Sequence, residues 1–192
     1  AAGERDVPAE VRVSDDARAV RAADRIVLPG VGAFADCWRG LNALPDVVPV
    51  MTEAVCTHGK PFLGICVGMQ LLATRGLEYG ETPGLDWIPG EVVALAPDDP
   101  HLKVPHMGWN ELIPTQPDHA LLAGLPDGAH AYFVHSFRFD AQRAADVLAT
   151  TAYGGPVTAM IERGNVAGTQ FHPEKSQATG LHLLGNFLEW RP

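Results

Sequence analysis

The stretch Gly64-Ile65-Cys66-Val67-Gly68-Met69-Gln70 sets a cysteine between two glycines, where the apolar run Pro61-Phe62-Leu63-Gly64-Ile65 ends and a helical pattern begins. A sharp strand-to-helix turn accounts for this pattern. The central residue takes a strained backbone conformation, and its glycine neighbours carry no side chain, so strand and helix approach closely. Such a turn commits the chain to a strand followed directly by a helix, the repeating unit of an α/β sheet. It also pushes the Cys66 sulfur into a cleft beside the unpaired N–H groups and positive dipole end of a helix starting near Val67, a setting that favours thiolate. The heptapeptide alone leaves two readings open: a nucleophile elbow, and a buried structural cysteine between packing glycines.

The far end of the chain bears on that choice. Gly168-Thr169-Gln170-Phe171-His172-Pro173-Glu174 follows a strand-like run, Asn165 to Phe171, and carries His and Glu two positions apart. In extended backbone, i and i+2 point to one face, so Glu174 can orient the His172 ring. Pro173 stiffens the spacing and stops the strand there. By itself a His-x-Glu is commonly a solvated pair. Joined to a glycine-flanked cysteine in a small α/β chain, it completes a nucleophile, base and orienter set of Cys66, His172 and Glu174.

The rest of the chain supplies matching elements. Arg25 to Leu28 reads as a short buried strand, Asp36 to Leu44 and Pro49 to His58 as helices, and Pro61 to Ile65 as the strand feeding Cys66. That order predicts right-handed crossovers and a three-layer α/β domain with a mixed, mainly parallel central sheet. Gly76 to Gly90 reads as a surface connection, Glu91 to Leu95 as a strand, and Ala129 to Phe139 as a strand pair with His135-Ser136-Phe137 near a turn. Val157 to Glu162 and Asn165 to Phe171 flank a hairpin signal at Arg163-Gly164. Thr179 to Trp190 reads as a closing helix with Leu181, Leu184, Phe187 and Leu188 on one face. Residues 1–23 are polar and alanine-rich, with a short extended piece at Val11 to Val13. The expected organisation is one domain over residues 1–192.

Bulk properties narrow the function. At 46% hydrophobic residues the chain has the composition of a folded protein, and no apolar run reaches the length of a membrane span. A formal net charge of −9 without a basic cluster argues against nucleic acid as a partner. Three widely spaced cysteines, Cys37, Cys56 and Cys66, suit the reducing cytoplasm, with Cys37 and Cys56 as packing residues. Among the eight histidines, His101 and His106, like His130 and His135, lie five positions apart, which matches neither a helix face nor one side of a strand. No metal site and no cofactor is expected.

Two further segments each allow two readings. Pro29-Gly30-Val31-Gly32 is a glycine turn at the end of a strand, where ligands bind in α/β sheets, but it lacks the Lys-Ser/Thr of a phosphate loop. It is either a source of backbone donors or a tight turn. Lys103 to Ile113 mixes His106, Met107, Trp109 and Asn110, as partner surfaces do, yet a core strand with Trp109 buried is the other reading.

These residues carry a resemblance. The elbow and the His-x-Glu resemble class I, triad-type glutamine amidotransferases. Pro29 to Phe34, Val104 to Asn110, Tyr132 to Phe137 and Phe171 to Ser176 resemble, within that superfamily, the glutaminase-subunit family of imidazole glycerol phosphate synthase, over about Asp24 to the C-terminus. The resemblance implies glutamine hydrolysis by Cys66, with an oxyanion hole from the backbone of Val67 and of Val31 and Gly32. It implies glutamine contacts at Gly30, Gly32, Gln70, Ser136 and Phe137, where Phe137 replaces the family's usual tyrosine and removes its hydroxyl. It also implies a heterodimer with a barrel-shaped cyclase subunit, bordered by Met107, Trp109 and Lys175. That partner uses the ammonia to make imidazole glycerol phosphate and an aminoimidazole carboxamide ribotide. Family members open with a strand, a loop and a helix that this chain is expected to lack. Three alternatives are an amidotransferase for guanylate, pyridoxal phosphate or anthranilate synthesis, a cysteine peptidase, and an inactive module that only occupies a partner.

Overall fold

The structure, a computed structural model, describes residues 9–192. The reading of residues 1–23 therefore lies outside the described residues over positions 1–8. Val11 and Val13 are in neither helix nor strand and are exposed, so the short extended piece read there joins no sheet. A helix that the sequence reading did not anticipate follows, α1 (Ala17–Ala22), its first turn capped by the Asp16 carboxylate, which accepts the Arg18 N–H.

In chain order come β1 (Ile26–Gly30), α2 (Phe34–Asn42), α3 (Val47–Thr52), β2 (Phe62–Cys66), α4 (Val67–Gln70), β3 (Arg75–Gly76), β4 (Thr82–Pro83), β5 (Gly90–Ala94), β6 (His106–Glu111), β7 (Ile113–Pro114), β8 (His130–His135), β9 (Phe137–Ala141), β10 (Val147–Ala152), β11 (Pro156–Arg163), β12 (Val166–Thr169) and α5 (Gln177–Glu189). The strand order of the main sheet is β1-β2-β12-β11-β10-β7. Pairs β1–β2 and β2–β12 are parallel, and the hairpin β11–β12 and pairs β10–β11 and β7–β10 are antiparallel. β2 is buried along its whole length, as its unbroken apolar run requires of a strand flanked on both edges. The mixed sheet agrees with the expected class, and its parallel half holds the elbow.

Several expectations change. Gly76 to Gly90 is not a bare connection: it forms β4, which pairs with β3 of a second sheet ordered β4-β3-β5-β9, and it buries Ile88 completely. Ala129 to Phe139 is not a hairpin. β8 pairs with β6, while β9 pairs with β5, because the chain bends at Ser136, whose carbonyl takes the Leu95 N–H at 2.8 Å. The final helix buries Gly180, Leu183, Asn186 and Phe187, whereas Leu181 is exposed, because its first turn packs on the turn at Pro173–Lys175. Pro49 to His58 is α3 continued as a wider π-type turn, Glu53–Thr57. β10 was not anticipated at all.

Phe62, Phe133, Phe139, Phe171 and Phe187 are almost fully buried, and Phe133 meets Phe171 edge-on at 5.6 Å between ring centres. Phe171 carries the core directly up to His172. No helix among the described residues is long and apolar enough to cross a membrane.

Candidate active site

Cys66 is the last residue of β2 and the first before α4, with φ 54° and ψ −114°. This positive φ is strained for a residue with a Cβ, and it is held by packing on both sides. The helix lies so close to β1 that a Cβ on Gly68 would stand 1.8 Å from the Leu28 carbonyl oxygen. The glycine pattern read from sequence is thus a strand–turn–helix elbow.

Cys66 is 5% exposed. Burial pushes its thiol up to about 11; the Val67 N–H pulls it down, Cys37 and Glu174 raise it further, and Lys175 opposes them. The expected thiolate is therefore not favoured in this state. α4 is one turn long, and desolvation of the sulfur outweighs that turn and its N–H. A further contact to the sulfur is Gln170 Nε2 at 3.8 Å.

β12 runs parallel to β2 with Thr169 opposite Ile65, so the chain beyond Thr169 passes the nucleophile. The strand ends there, earlier than expected. Pro173 opens a 3-10 turn, Pro173–Lys175, and this turn, rather than an extended segment, brings Glu174 back to His172. Glu174 Oε1 is 2.7 Å from His172 Nδ1, so Nδ1 carries the proton it donates to the carboxylate. Nε2 has no hydrogen-bond partner among the described residues and is the nitrogen left for chemistry. His172 is 4% exposed and its backbone is fastened: its N–H donates to Tyr132 O at 3.1 Å, and Ser176 Oγ donates to His172 O at 2.7 Å while accepting Tyr132 N–H at 2.9 Å.

The remaining residues named from sequence divide into two places. Gly30 is the direct neighbour of Cys66 across the parallel pair β1–β2, which brings the Gly30-Val31-Gly32 loop to the elbow. Val31 is 74% exposed, its carbonyl accepts the Cys37 thiol at 3.2 Å, and Gly32 has φ +96°. Gln70 is buried and donates through Nε2 to the Phe137 carbonyl at 3.2 Å and to Gln170 Oε1 at 2.9 Å. Gln70 and Phe137 thus share one wall, with Ser136 adjacent. Met107 and Trp109 lie elsewhere, on the open face of β6, at 62% and 48% exposure, which excludes the buried-core reading of Trp109. Trp109 lines a surface cleft of about 330 Å³ with His130, Ser176 and Gln177, and Lys175 is exposed on the neighbouring turn.

Sequence reasoning passed over Gln170, Ser176 and Glu78. Glu78 Oε2 accepts the Phe34 N–H at 2.7 Å, at the start of the helix that follows the glycine loop. A polar residue inside the apolar run before His172 was the available signal for Gln170; nothing local marked the other two.

Comparison with known proteins agrees with this geometry. The family described as glutamine amidotransferase class-I matches residues 3–190. The chain is 58% identical over 186 residues to the imidazole glycerol phosphate synthase subunit HisH of Rhodospirillum rubrum, covering 97% of this chain and 87% of that protein. It is 57% identical to the protein of the same description from Caulobacter vibrioides, covering 100% and 89%. Among solved structures, a glutamine amidotransferase superposes with a TM-score of 0.70 at 19% identity over 95% of this chain and 89% of that one. PurLQS from Thermotoga maritima superposes at 0.61 and 20% identity, over 86% and 79%. At those identities the structural matches speak to fold alone. The matches in sequence cover nearly the whole chain, and the chain belongs to the class-I glutamine amidotransferase family and, within it, to the HisH group of imidazole glycerol phosphate synthase subunits.

Proposed function

We propose that this chain, acting as one glutamine amidotransferase domain, hydrolyses glutamine to glutamate and ammonia and delivers the ammonia to the cyclase subunit of imidazole glycerol phosphate synthase, for histidine biosynthesis. The observation that carries the reading is the cysteine at φ 54° at the end of β2, served by a parallel neighbour strand that delivers the His172–Glu174 pair.

In the proposed cycle Cys66 gives its proton to His172 Nε2 as the sulfur forms a bond to the glutamine carboxamide carbon. The oxyanion is held by backbone N–H groups of Val67 and of the Val31–Gly32 loop. His172 then protonates the departing nitrogen, ammonia leaves, and a thioester remains. Water, deprotonated by His172, attacks the thioester, and the sulfur leaves with the proton to restore the thiol. Glu174 keeps the imidazole in one tautomer and steadies the imidazolium. Gly30, Gly32, Gln70, Ser136 and Phe137 are proposed to hold the amino-acid end of glutamine. The family's tyrosine hydroxyl is absent at Phe137, so main-chain groups and Gln70 supply that wall.

A thiol raised to about 11 has little thiolate at neutral pH, and the low resting reactivity suits a site that fires only when its ammonia has a recipient. The relatives' description as a synthase subunit supports a cyclase partner. We infer a heterodimer with a barrel-shaped cyclase docking on Met107, Trp109 and Lys175, located in the cytoplasm, where the three free cysteines stay reduced. The test is glutamate release by the chain alone, with the cyclase, and with cyclase plus its nucleotide substrate. Release should rise at each step and vanish in Cys66→Ser, whose complex still uses added ammonia. Glutaminase activity retained in Cys66→Ser would sink the assignment.

A further inference from the structure

Two buried histidines outside the triad form a hydrogen-bonded line toward the glutamine wall. His106 and His135 are direct partners across the β6–β8 pair, 2% and 6% exposed, with His106 Nδ1 3.0 Å from His135 Nε2. The line has two independent ends. At one, His135 Nδ1 lies 2.8 Å from the Phe137 carbonyl, which only accepts, so His135 carries its proton on Nδ1 and Nε2 is an acceptor. At the other, the Asn110 amide is oriented by two separate contacts: its Oδ1 accepts the Glu111 N–H and its Nδ2 donates to Ala152 O, each at 2.9 Å. Nδ2 therefore also donates to His106 Nε2 at 3.2 Å, and the His106 proton must sit on Nδ1. That proton points at the one nitrogen of His135 able to accept it. Both ends impose the same order, Asn110 to His106 to His135 to Phe137.

The rings are also held in place. His106 is stacked between Phe133 and Tyr153, at 4.8 and 4.0 Å between centres, and the Tyr153 hydroxyl is tied to Lys103 O at 2.6 Å. No carboxylate, lysine or arginine pairs with either ring among the described residues. Burial, and for His106 also its neighbour His135, pushes both histidines down, and His106 reaches about 4, so both are neutral near pH 7. The Phe137 carbonyl at the end of the line takes a second donor, Gln70 Nε2, which also binds Gln170, and Gln170 reaches the Cys66 sulfur.

We propose that His106 and His135 are positioning residues for glutamine hydrolysis: locked in one proton order, they fix the Phe137 carbonyl and, through it, the Gln70 side chain that walls the Cys66 cleft. The inference rests on the glutaminase reading above. Neither ring touches the reacting atoms. Their effect is on substrate placement, so it falls on KM more than on kcat.

Two measurements test this. The first is ring-nitrogen NMR of the chain with ¹⁵N-labelled histidine, assigned by spectra of His106→Phe and His135→Asn. Both rings are expected as Nδ1–H tautomers, and His106 is not expected to titrate between pH 5 and pH 8; an Nε2–H tautomer of either ring, or a titration of His106 in that window, overturns the proposal. The second is steady-state glutamine hydrolysis by the cyclase complex. His106→Phe keeps the aromatic stack but removes the donor, and should raise KM about five- to tenfold with kcat within about threefold, the size of one lost buried hydrogen bond. His106→Asn, which returns a donor near the Nδ1 position, should recover most of that rise. An unchanged KM in a folded His106→Phe protein, or a loss that Asn does not recover, overturns it. A wild-type complex that released no glutamate would defeat the glutaminase reading instead, and the NMR spectra would still decide the proton order.

Discussion

Gly30 and Cys66 are opposite one another at the ends of two parallel strands, so the glycine loop and the nucleophile leave the sheet side by side. A Cβ on Gly30 would stand 2.7 Å from the Gly68 amide nitrogen, in the first turn of the helix that follows the cysteine. Backbone meets backbone there, and neither side can yield without moving the site.

Gly30→Ala should therefore cost about 1–3 kcal/mol in denaturant unfolding, and Gly68→Ala, whose Cβ meets a carbonyl oxygen at 1.8 Å, at least as much. Gly40→Ala is the control. Its Cβ meets nothing within 4 Å in α2, so it should be neutral or stabilising by up to about 1 kcal/mol. Equal effects at all three positions would refute the close-approach account.

His172→Ala should lower glutamine turnover by about 10³-fold, since it removes the group that moves the proton. Glu174→Gln should cost less than His172→Ala, because an amide oxygen still contacts Nδ1 but no longer steadies the imidazolium. Steady-state assays on the purified complex compare the two. A loss at Glu174→Gln as deep as at His172→Ala would give the carboxylate a larger part than orientation.

Alkylation of Cys66 in the free chain, followed by mass spectrometry of its peptide, should accelerate about tenfold per pH unit above neutrality and level off near the raised value of about 11. A plateau reached by pH 8 would mean that the thiolate is stabilised despite burial.

His106 has its pKa depressed from 6.5 to about 4, so the folded state prefers the neutral ring. The stability it contributes is complete above the unfolded value of about 6.5 and is lost as pH falls through 4. Up to about 3 kcal/mol is at stake over that range. The unfolding free energy of His106→Phe should fall less steeply than wild type between pH 6.5 and pH 4. Parallel curves would show that the ring titrates alike in the folded and unfolded chain.

Local pattern made the sharp turn at Cys66 legible, because glycines on both sides of one cysteine at a strand–helix boundary permit few backbones, and it paired His172 with Glu174, because a two-residue spacing survives whether a strand or a 3-10 turn carries it; their reading as one site came from setting the two segments together. The hairpin at Arg163-Gly164 and the buried strand Phe62–Cys66 were likewise legible from nearest-neighbour chemistry. What depends on which distant segments become neighbours was not. Whether Trp109 is buried depends on what packs over β6, and it proved half open. The turn near Ser136 was legible, but the separation of β8 from β9 was not, because it depends on partners far away in the chain, β6 and β5. Gln170 reaches Cys66 only because β12 lies directly beside β2, and His106 meets His135 only through the β6–β8 register. A sequence specifies torsions and apolar faces within a few residues, whereas the protonation of Cys66 and the order of protons through two buried histidines follow from desolvation and contacts that exist only once the sheets have assembled.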